Sequence, residues 1–364
     1  MWSRRSPALR RRKCASQPLL GSKNKEVIMD WKDQTILITG GTGSFGKKFT
    51  KIALEEKQPK KIIIFSRDEL KQHEMKMHGY DHLSLRYFIG DVRDRERLVR
   101  AMHGVDIVVH AAALKQVPTC EYNPMEAIKT NIMGTANVVE AALDAGVKKV
   151  MTISTDKAVN PVNLYGATKL AAEKLTIQSN AYAAGTATRY SCVRYGNVVG
   201  SRGSVVPLFL KQRESGTVTI TDERMTRFWL SLEQGVRFVM NCIERMEGGE
   251  VFVPKIPSTK VIDLAKAIAP TAKLNIIGIR PGEKLHEVLI SQDEARNTIE
   301  LEKMYVIQPA EAIWFGYSWK DKGQELADGY HYSSSNNSEW LDVDGIKKYV
   351  APFEELFVQG KLEG

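Results

Sequence analysis

Residues 35–46 read TILITGGTGSFG, a short apolar run followed by a glycine-rich turn. The run TILIT has the length and the β-branched content of a buried strand. Gly40, Gly43 and Gly46 follow in GxxGxxG spacing, and a helix-length amphipathic stretch comes next. Glycine here allows a tight turn and lets backbone N–H groups approach a pyrophosphate at the helix N-terminus. The stretch therefore predicts a strand–turn–helix unit that binds a dinucleotide.

Short apolar runs of the same kind alternate with helix-length stretches as far as residue 195. The later runs are KIIIF (61–65), LRYFI (85–89), DIVVH (106–110), KVMTIS (149–154) and RYSCVR (189–194). Nearly continuous apolar runs are typical of parallel strands that are covered on both faces. Their alternation with helices predicts an α/β fold, a Rossmann-like doubly wound parallel sheet.

The rhythm of strands and helices loosens after residue 195, which indicates a second, smaller and mixed substrate lobe towards the C-terminus. The predicted parts are a basic extension (1–28), a cofactor domain (29–195, with 232–253 returning to it) and the substrate lobe (196–231 and 254–364). The lobe contains the turn-rich stretch HYSSSNNSEW (331–340), for which the sequence indicates no role.

The positive charge of the chain is concentrated at its N-terminus. Residues 1–28 carry eight Lys and Arg against Glu26 alone, so they hold +7 of the net charge of +9. The nearly neutral remainder removes the main support for nucleic-acid binding. The segment lacks the apolar region of a secretory signal. Three interpretations remain: a disordered extension, an organelle transit peptide, or a true start of the protein at Met29. We expect a disordered extension.

Composition also bears on compartment, metal and membrane. Cys14, Cys120, Cys192 and Cys242 form no CxxC pairs, which favours reduced and mostly buried thiols in a cytoplasmic protein. His110 ends an apolar run and is predicted to be a packed core residue. We expect no metal site. No apolar run approaches the roughly 20 residues of a membrane span, so we expect none.

The end of the second predicted strand bears on the choice of dinucleotide. An NAD site usually places a carboxylate there to hold the ribose 2′-OH. Here the sequence has Ser66 and Arg67, with Lys71 one turn further on and Asp68 one residue late for the usual ribose contact. A guanidinium can pair with a 2′-phosphate through two hydrogen bonds. These residues therefore favour NADP over NAD.

Further cofactor contacts are expected after the third and fourth strands. Asp91 and the backbone N–H of Val92 are placed to meet the adenine edge. Ala111 and Ala112 are small residues where the backbone would pass close to the cofactor, although close packing explains them equally well. The predicted cofactor-binding residues are Gly40, Thr42, Gly43, Ser44, Phe45, Gly46, Ser66, Arg67, Lys71, Asp91, Val92, Ala111, Ala112, Tyr165 and Lys169.

The stretch STDKAVNPVNLYGATK (154–169) carries the predicted chemistry. Tyr165 and Lys169 fall on one helix face, where the ammonium charge favours the phenolate and so lowers the pKa of the tyrosine. Thr155 can share the substrate oxygen. Together these groups can remove an alcohol proton while a hydride leaves for a nicotinamide. Asp156 and Lys157, wedged directly after the threonine, are not needed for that step.

Several motifs together resemble a known superfamily. The glycine turn, Tyr-x-x-x-Lys, Asn131 in TNIMGT and the loop RYGNVVGSRGS are similar to the extended short-chain dehydrogenase/reductases. More narrowly, STDKAVNPVNLYGATK with RMTRFW, FVPKIPS and GIRPGEKLHE resembles the inverting UDP-N-acetylglucosamine 4,6-dehydratases of bacterial pseudaminic acid biosynthesis. The likeness covers residues 30–350. It implies a hydro-lyase that works as a homo-oligomer, with a hexamer as the candidate size.

The resemblance implies catalytic roles for Asp156 and Lys157. Such an enzyme oxidises the sugar at C4, eliminates water across C5 and C6, and returns the hydride to C6. The resemblance implies Lys157 as the base at C5, Asp156 as the acid for the leaving hydroxyl and Tyr165 as the oxidation base, which can also take part in reprotonation. A surface ion pair is the alternative. Adjacent strand residues face opposite ways, so a turn must reorient the pair if both enter the site.

Tyr165 also separates subgroups, because the related large membrane-bound dehydratases have a methionine at the matching place. The tyrosine therefore implies the short group that inverts C5.

The nucleotide sugar needs cations or donors for its diphosphate. The resemblance implies that Arg227 and Arg280 grip phosphate, that Asn197 bonds the sugar or phosphate, and that Glu283 holds a ribose hydroxyl. Lys115 completes the predicted substrate set. Each has an ordinary surface or capping alternative, and the aromatic residues of RFWL are expected to pack in the core.

Two other functions fit parts of the pattern. A UDP-sugar 4-epimerase would share the glycines and Tyr-x-x-x-Lys but would not need Asp156 and Lys157. A non-catalytic NADP-binding regulator often lacks the tyrosine or the lysine, and this chain has both.

Overall fold

The computed structural model describes residues 29–199, 205–309 and 317–359. The strands, in chain order, are β1 (Thr35–Thr39), β2 (Lys61–Ser66), β3 (Leu85–Ile89), β4 (Ile107–His110), β5 (Lys149–Thr155), β6 (Arg189–Tyr195), β7 (Asn197–Val199), β8 (Thr217–Ile220), β9 (Thr226–Ser231), β10 (Val251–Pro254), β11 (Ser258–Lys260), β12 (Lys273–Ile276), β13 (Val288–Ile290), β14 (Thr298–Glu300), β15 (Met304–Ile307), β16 (Gln324–Glu325) and β17 (Tyr332–Ser333). The expectation for residues 1–28 lies outside the described residues.

The α-helices are α1 (Ser44–Ile52), α2 (Glu69–Met77), α3 (Arg95–Ala101), α4 (Val117–Tyr122), α5 (Pro124–Ala127), α6 (Gly134–Asp144), α7 (Leu164–Gln178), α8 (Val205–Glu214), α9 (Leu232–Arg245), α10 (Val261–Ile268), α11 (Gln292–Ala295) and α12 (Val343–Val358). Two π-helical segments, Ala53–Lys57 and Ile128–Met133, continue α1 and join α5 to α6. A 3₁₀ turn, Asp156–Ala158, follows β5, and another spans Lys320–Lys322.

The central sheet confirms the predicted doubly wound fold. Its strands run in the order β16-β14-β15-β10-β6-β5-β4-β1-β2-β3. In that spatial order, the strands from β10 to β3 pair in parallel. The chain builds outward from β1 to β3 and then crosses to β4 on the other side of β1. The carboxyl ends of β1 and β4 therefore flank the switch point at which such sheets bind ligands.

The continuous apolar character of β1 follows from burial on both faces. Ile36 and Ile38 belong to one core cluster, whereas Leu37 between them belongs to another. Alternate side chains of a strand point to opposite faces, so each face needs its own apolar layer. This is why TILIT shows no polar alternation.

The division into a cofactor domain and a substrate lobe stays a prediction. β10 joins the sheet beside β6. The antiparallel strands β14 and β15 extend the same sheet, although they lie within 254–364. Three smaller sheets, β11-β9-β7, β12-β8 and β13-β17, complete the described strands.

Candidate active site

The turn after β1 requires glycine at positions 40 and 46. Gly40 has a φ of +65°, and a Cβ added there would lie 3.0 Å from the Ala112 Cα. A Cβ on Gly46 would lie 2.4 Å from the carbonyl oxygen of Gly41. The first helix begins at Ser44 with Gly43 as its N-cap and no side-chain cap. Its leading N–H groups are therefore available to an anion.

A buried hydrogen-bond network fixes the loop after β4. The Thr39 hydroxyl accepts the backbone N–H groups of Ala111 (3.1 Å) and Ala112 (3.2 Å) and therefore donates to His110 Nδ1 (2.7 Å). His110 Nε2 then donates to the Thr135 hydroxyl. Burial, with a smaller effect of Lys169, lowers the pKa of His110 to about 3. The prediction of a packed core histidine is confirmed, and the low pKa keeps His110 neutral.

A cavity of about 710 Å³ opens at the carboxyl ends of the parallel strands. Its size suits a cofactor or a small ligand. The predicted site residues that line it are Gly40, Thr42, Gly43, Ser44, Phe45, Ser66, Arg67, Lys71, Asp91, Val92, Ala111, Ala112, Lys115, Thr155, Lys157, Tyr165, Lys169 and Asn197. Gly46 lies behind this lining, where it lets α1 pack against the turn.

The end of the cavity next to β2 contains the residues that were predicted to bear on 2′-phosphate recognition. Arg67 is half exposed, and its guanidinium lies 3.8 Å from the Asp91 carboxylate. That carboxylate is held mainly by Arg93, at 2.6 Å. Asp68 instead caps α2 by accepting the Lys71 N–H at 3.0 Å and also pairs with the Lys71 ammonium. Both Arg67 and Asp68 line the cavity, but the Asp68 carboxylate is engaged in capping and in the Lys71 ion pair.

The turn that follows β5 brings the Asp156 and Lys157 side chains into contact, with Lys157 in the cavity lining and Asp156 buried behind it. Because these residues lie in a 3₁₀ turn, they are freed from the alternation of the strand. Lys157 Nζ donates to Asp156 Oδ1 at 3.0 Å, and the Thr155 hydroxyl donates to the same oxygen at 2.9 Å. Asp156 is fully buried and the Lys157 side chain is 25% exposed. The pair is therefore not the surface ion pair considered as the alternative.

Gly166 lets α7 pack against this turn. A Cβ there would lie 2.2 Å from the Lys157 carbonyl oxygen. Gly166→Ala is therefore expected to displace the turn, to destabilise the fold by about 1–3 kcal/mol through overpacking, and to lower turnover. Thermal unfolding and steady-state kinetics measure both effects. Gly235→Ala in α9 is the matched control, because its added Cβ would meet Leu230 at an ordinary 3.4 Å. Equal behaviour of the two variants would contradict this packing argument.

Burial and charge set the protonation of the candidate catalytic groups. Burial raises the pKa of Tyr165 to about 12, while the Lys157 charge and a hydrogen bond with Thr155 act in the opposite direction. Lys169, which was expected to do this, donates to the Ile153 carbonyl at 2.7 Å, and burial lowers its pKa. In the unliganded protein the tyrosine therefore holds its proton at neutral pH.

The pKa values of Asp156 and Lys157 are both raised, but for different reasons. Burial raises the pKa of Asp156, and the nearby Glu287 charge adds to this effect. Burial works to lower the pKa of Lys157, but the charges of Asp156 and Glu287 outweigh it and raise that pKa. The aspartic acid therefore retains a proton more readily than usual, as a general acid requires, and the lysine is an ammonium.

Sequence reasoning missed Glu287, which stands within GIRPGEKLHE immediately before β13. Its side chain is almost fully buried, and its Oε1 lies 3.4 Å from Lys157 Nζ. Sequence reasoning also missed Thr130 and Tyr195, which line the cavity. The π-helical segment that contains Thr130 carries no sequence signal of its own. The motif around Glu287 was visible, but only folding places it beside Lys157.

The predicted substrate residues divide into two groups. Lys115 and Asn197 line the cavity, and Asn197 Oδ1 is buried without a partner among the described residues. Arg227 donates to the Thr226 (2.7 Å) and Leu285 (3.1 Å) carbonyls. It lies outside the cavity lining, and its predicted role stays a prediction.

Arg280 and Glu283 also lie outside the lining. The Glu283 carboxylate accepts the Arg280 backbone N–H at 3.3 Å, which closes a turn. Asn163 Nδ2 donates to the Gly282 carbonyl at 2.8 Å and docks this turn onto the start of α7. The exposed Arg280 is thereby brought to the α7 N-terminus, and the phosphate and ribose roles of the two residues stay predictions.

Other side chains in the described ranges bear on the remaining expectations. Cys120, Cys192 and Cys242 are buried free thiols. Within the described ranges, no group of three or more His, Cys, Asp or Glu is arranged to hold a metal ion. None of the helices in those ranges combines the length and hydropathy needed to cross a bilayer.

Comparison with known proteins places this site in context. Residues 36–309 match the family model "Polysaccharide biosynthesis protein". A UDP-N-acetylglucosamine 4,6-dehydratase (inverting) of Campylobacter jejuni is 57% identical over 84% of this chain and 94% of its own. A UDP-glucose 4-epimerase of Rickettsia canadensis is 41% identical over 91% of this chain and 98% of its own.

Two solved structures share the fold. Pen from Bacillus thuringiensis is 36% identical, with a TM-score of 0.82 over 90% of this chain and 99% of its own. DesIV, a dTDP-glucose 4,6-dehydratase from Streptomyces venezuelae with NAD and TYD bound, is 23% identical, with a TM-score of 0.63 over 69% of this chain and 87% of its own. This second likeness shows the fold alone. By sequence and fold, the chain belongs to the polysaccharide biosynthesis protein family, as a relative of the inverting UDP-N-acetylglucosamine 4,6-dehydratases.

Proposed function

We propose that this enzyme catalyses the 4,6-dehydration of UDP-N-acetylglucosamine with inversion at C5, giving a UDP-4-keto-6-deoxy-L-sugar. The observation that carries the proposal is the Asp156–Lys157 pair: Lys157 lines the same cavity as Tyr165, and the fully buried Asp156 lies directly behind it, 3.0 Å from Lys157 Nζ. A hydride transfer alone needs no such pair. The very similar dehydratase from Campylobacter jejuni supports the same reaction.

The cofactor is a nicotinamide dinucleotide, and the residues present fit it. The glycine turn leaves no room for side chains, the α1 N-terminus is uncapped, and Thr130 Oγ1 and Asn197 Oδ1 are buried without partners among the described residues. When bound, the nicotinamide would supply the hydride-transfer chemistry that oxidation at C4 and reduction at C6 require. Tyr165 takes the proton of the 4-hydroxyl, and Thr155 orients the same oxygen.

Elimination uses the pair after β5. The C4 ketone makes the C5 proton acidic, and Lys157 as a neutral amine removes it. Asp156 protonates the 6-hydroxyl, which leaves as water. Because the two residues are coupled through one hydrogen bond, their titration belongs to the pair.

The finer assignments form part of the same proposal. The product is consumed in pseudaminic acid biosynthesis, the protein is a homo-oligomer with a hexamer as its candidate form, and the compartment is the cytoplasm. The three buried, unpaired thiols support a reducing compartment. Arg227 and Arg280 are proposed to bind the diphosphate, with Lys115, Asn197 and Glu283 holding the rest of the nucleotide sugar.

NADP is proposed over NAD on the strength of Arg67. Arg67→Ala is expected to weaken NADP binding about 30-fold or more, because a charge-assisted contact to the 2′-phosphate is lost. NAD binding should change by less than about threefold, because NAD lacks that phosphate. Calorimetric titration with each dinucleotide measures the difference. Lys76→Ala, at an exposed position of the adjacent α2, is the control, and equal losses for both dinucleotides would refute the assignment.

Proton NMR in D₂O with UDP-N-acetylglucosamine and NADP⁺ tests the reaction itself. A 6-methyl signal with deuterium at C5 would establish oxidation, elimination and reduction together, and the ring couplings would report inversion. A 4-epimer that keeps its 6-hydroxyl would favour the epimerase activity named for the Rickettsia relative. Cofactor binding without turnover of the sugar would favour the non-catalytic NADP-binding regulator.

A further inference from the structure

Glu287 forms a third member of the charged cluster behind the cavity. Its Oε1 lies 3.4 Å from Lys157 Nζ, whose other carboxylate partner is Asp156 at 3.0 Å. Glu287 Oε2 and Asp156 Oδ2 are both buried without a hydrogen-bond partner among the described residues. Lys157 Nζ is therefore in contact with two carboxyl groups, each of which has a spare oxygen.

The proposed chemistry requires Lys157 to change its protonation state. An ammonium has no lone pair and cannot remove the C5 proton. Lys157 must therefore first give a proton to a neighbour. Asp156 is assigned to donate a proton to the leaving hydroxyl, so it is not the acceptor. Glu287 is the remaining group in contact with Lys157 Nζ in the described part of the chain.

The geometry points to Glu287 as the proton acceptor for Lys157, a third acid–base group of the site that converts the lysine into a base once a nucleotide sugar fills the cavity. This inference rests on the proposed function and deepens it. Glu287 acts through Lys157 and is therefore a positioning residue and proton acceptor, with no contact to the sugar assigned to it.

The step is balanced in atoms and electrons. One N–H bond of the Lys157 ammonium breaks and an O–H bond forms on Glu287, which leaves a neutral amine and a carboxylic acid. The amine lone pair then takes the C5 proton, and the C–H electron pair enters the enolate of the C4 ketone. As the enolate expels the 6-hydroxyl, Asp156 supplies the proton that completes water.

Substrate binding supplies the physical reason for the transfer. In the unliganded protein the charges of Lys157 and Arg227 outweigh the effect of burial on Glu287 and lower its pKa. Arg227 Nε lies 3.9 Å from Glu287 Oε1. A diphosphate bound by Arg227 would offset that positive charge, and a sugar in the cavity would exclude water. Both changes favour the neutral lysine–carboxylic acid pair over the ion pair.

The surroundings of Glu287 contain several other titratable groups. The charged and titratable neighbours are Asp156, Lys157, Arg227, Lys284 and His286. Lys284 is directed away by its hydrogen bond to the Val159 carbonyl, and His286 pairs with the Thr226 hydroxyl at 2.8 Å. Lys157 is therefore the proton donor closest to Glu287.

The turn-rich stretch HYSSSNNSEW gains a role from this arrangement. The Ser334 hydroxyl accepts the Glu287 backbone N–H at 2.9 Å, and the Ser334 N–H donates to the Glu287 carbonyl at 2.8 Å. The Ser334 hydroxyl also bonds the Thr226 hydroxyl at 2.7 Å. Ser334 thus ties Glu287 to the segment that carries Arg227.

Glu287→Gln and Glu287→Asp in the holoenzyme test the inference. With UDP-N-acetylglucosamine in D₂O, the Gln variant should slow deuterium incorporation at C5 by about 100-fold or more near neutral pH. Transient formation of reduced cofactor should stay within about threefold of wild type, because oxidation at C4 does not use Glu287. C5 exchange by the Gln variant should rise steeply between about pH 7 and about pH 9, because Lys157 must then lose its proton to solvent. The Asp variant, which keeps a carboxylate, should show slower exchange without that steep rise.

Two results would overturn the role of Glu287. One is a Gln variant with near-normal C5 exchange and an unchanged pH profile. The other is an equal loss of oxidation and exchange in both variants, which a purely structural role would produce. Glu300→Gln, which removes a carboxylate paired with Lys255 outside the cavity lining, is the control. A wild-type enzyme that neither exchanges C5 nor forms a 6-methyl group would instead refute the proposed function, and the role of Glu287 with it.

Discussion

Lys157→Ala is expected to abolish water loss while leaving cofactor binding intact. The ammonium bridges Asp156 and Glu287, and alanine removes both the base at C5 and the cation between the two carboxyl groups. Loss of a general base lowers a rate by about 100- to 10,000-fold, and we expect the upper part of that range because both nearby carboxyl groups lose their shared partner. Formation of the 6-methyl product, followed by NMR, measures the effect.

The cofactor step separates a chemical defect from a folding defect. Lys157 lines the cavity, but the glycine turn and the α1 N-terminus do not depend on it. The variant should therefore bind NADP with near-normal affinity and still form reduced cofactor when it meets the sugar. Lys174→Ala, at an exposed position of α7, is the matched control and should retain full activity. Near-normal dehydration by Lys157→Ala would show that another group removes the C5 proton.

Tyr165→Phe is expected to stop the reaction one step earlier. Without the phenol there is no group to take the 4-hydroxyl proton, so reduced cofactor should form about 1000-fold more slowly. Phenylalanine preserves the ring and its packing beside Cys120 and Ala127, so stability should change little. Rapid mixing of enzyme, oxidised cofactor and sugar, with reduced cofactor as the signal, measures the rate.

The pH dependence of the oxidation step gives a second readout. Burial raises the pKa of Tyr165 to about 12, so the phenol is protonated at neutral pH in the unliganded protein. The reactive phenolate becomes more abundant as pH rises, so the wild-type oxidation rate should increase with pH. That increase should be absent in Tyr165→Phe and retained in Tyr195→Phe, which alters another buried tyrosine of the same cavity. A normal oxidation rate in Tyr165→Phe would exclude the phenol as the base.

Most residues of the predicted cofactor site could be named from the sequence, because the structural requirements at these positions are local. Gly40 needs a positive φ, and Gly46 must allow contact between neighbouring segments, so the motif reports the shape of the turn. Arg67 follows β2 directly, so it lies at the carboxyl end of that strand, in the lining of the cavity. The i,i+4 spacing of Tyr165 and Lys169 likewise fixes a shared helix face.

The substrate half was less accessible because its contacts join distant segments. Arg280 and Glu283 were recognised from one motif, yet the structure uses the Glu283 carboxylate to close a turn. Glu287, four residues further along the same motif, lies against Lys157. Residue spacing within a loop does not reveal which side chain will face a helix or a strand elsewhere in the chain.

The doubly wound sheet, the glycine turn and the Tyr-x-x-x-Lys helix could be predicted from the residues alone, because each depends on backbone geometry or periodicity over a few neighbouring residues. The arrangement of the charges, in contrast, depends on how distant segments pack together. The fold places Lys157 in the cavity lining with Asp156 buried behind it, and it brings Glu287 beside Lys157 and Arg227 beside Glu287. Burial and the proximity of opposite charges depend on the whole packed molecule, and they set the protonation states on which the chemistry depends.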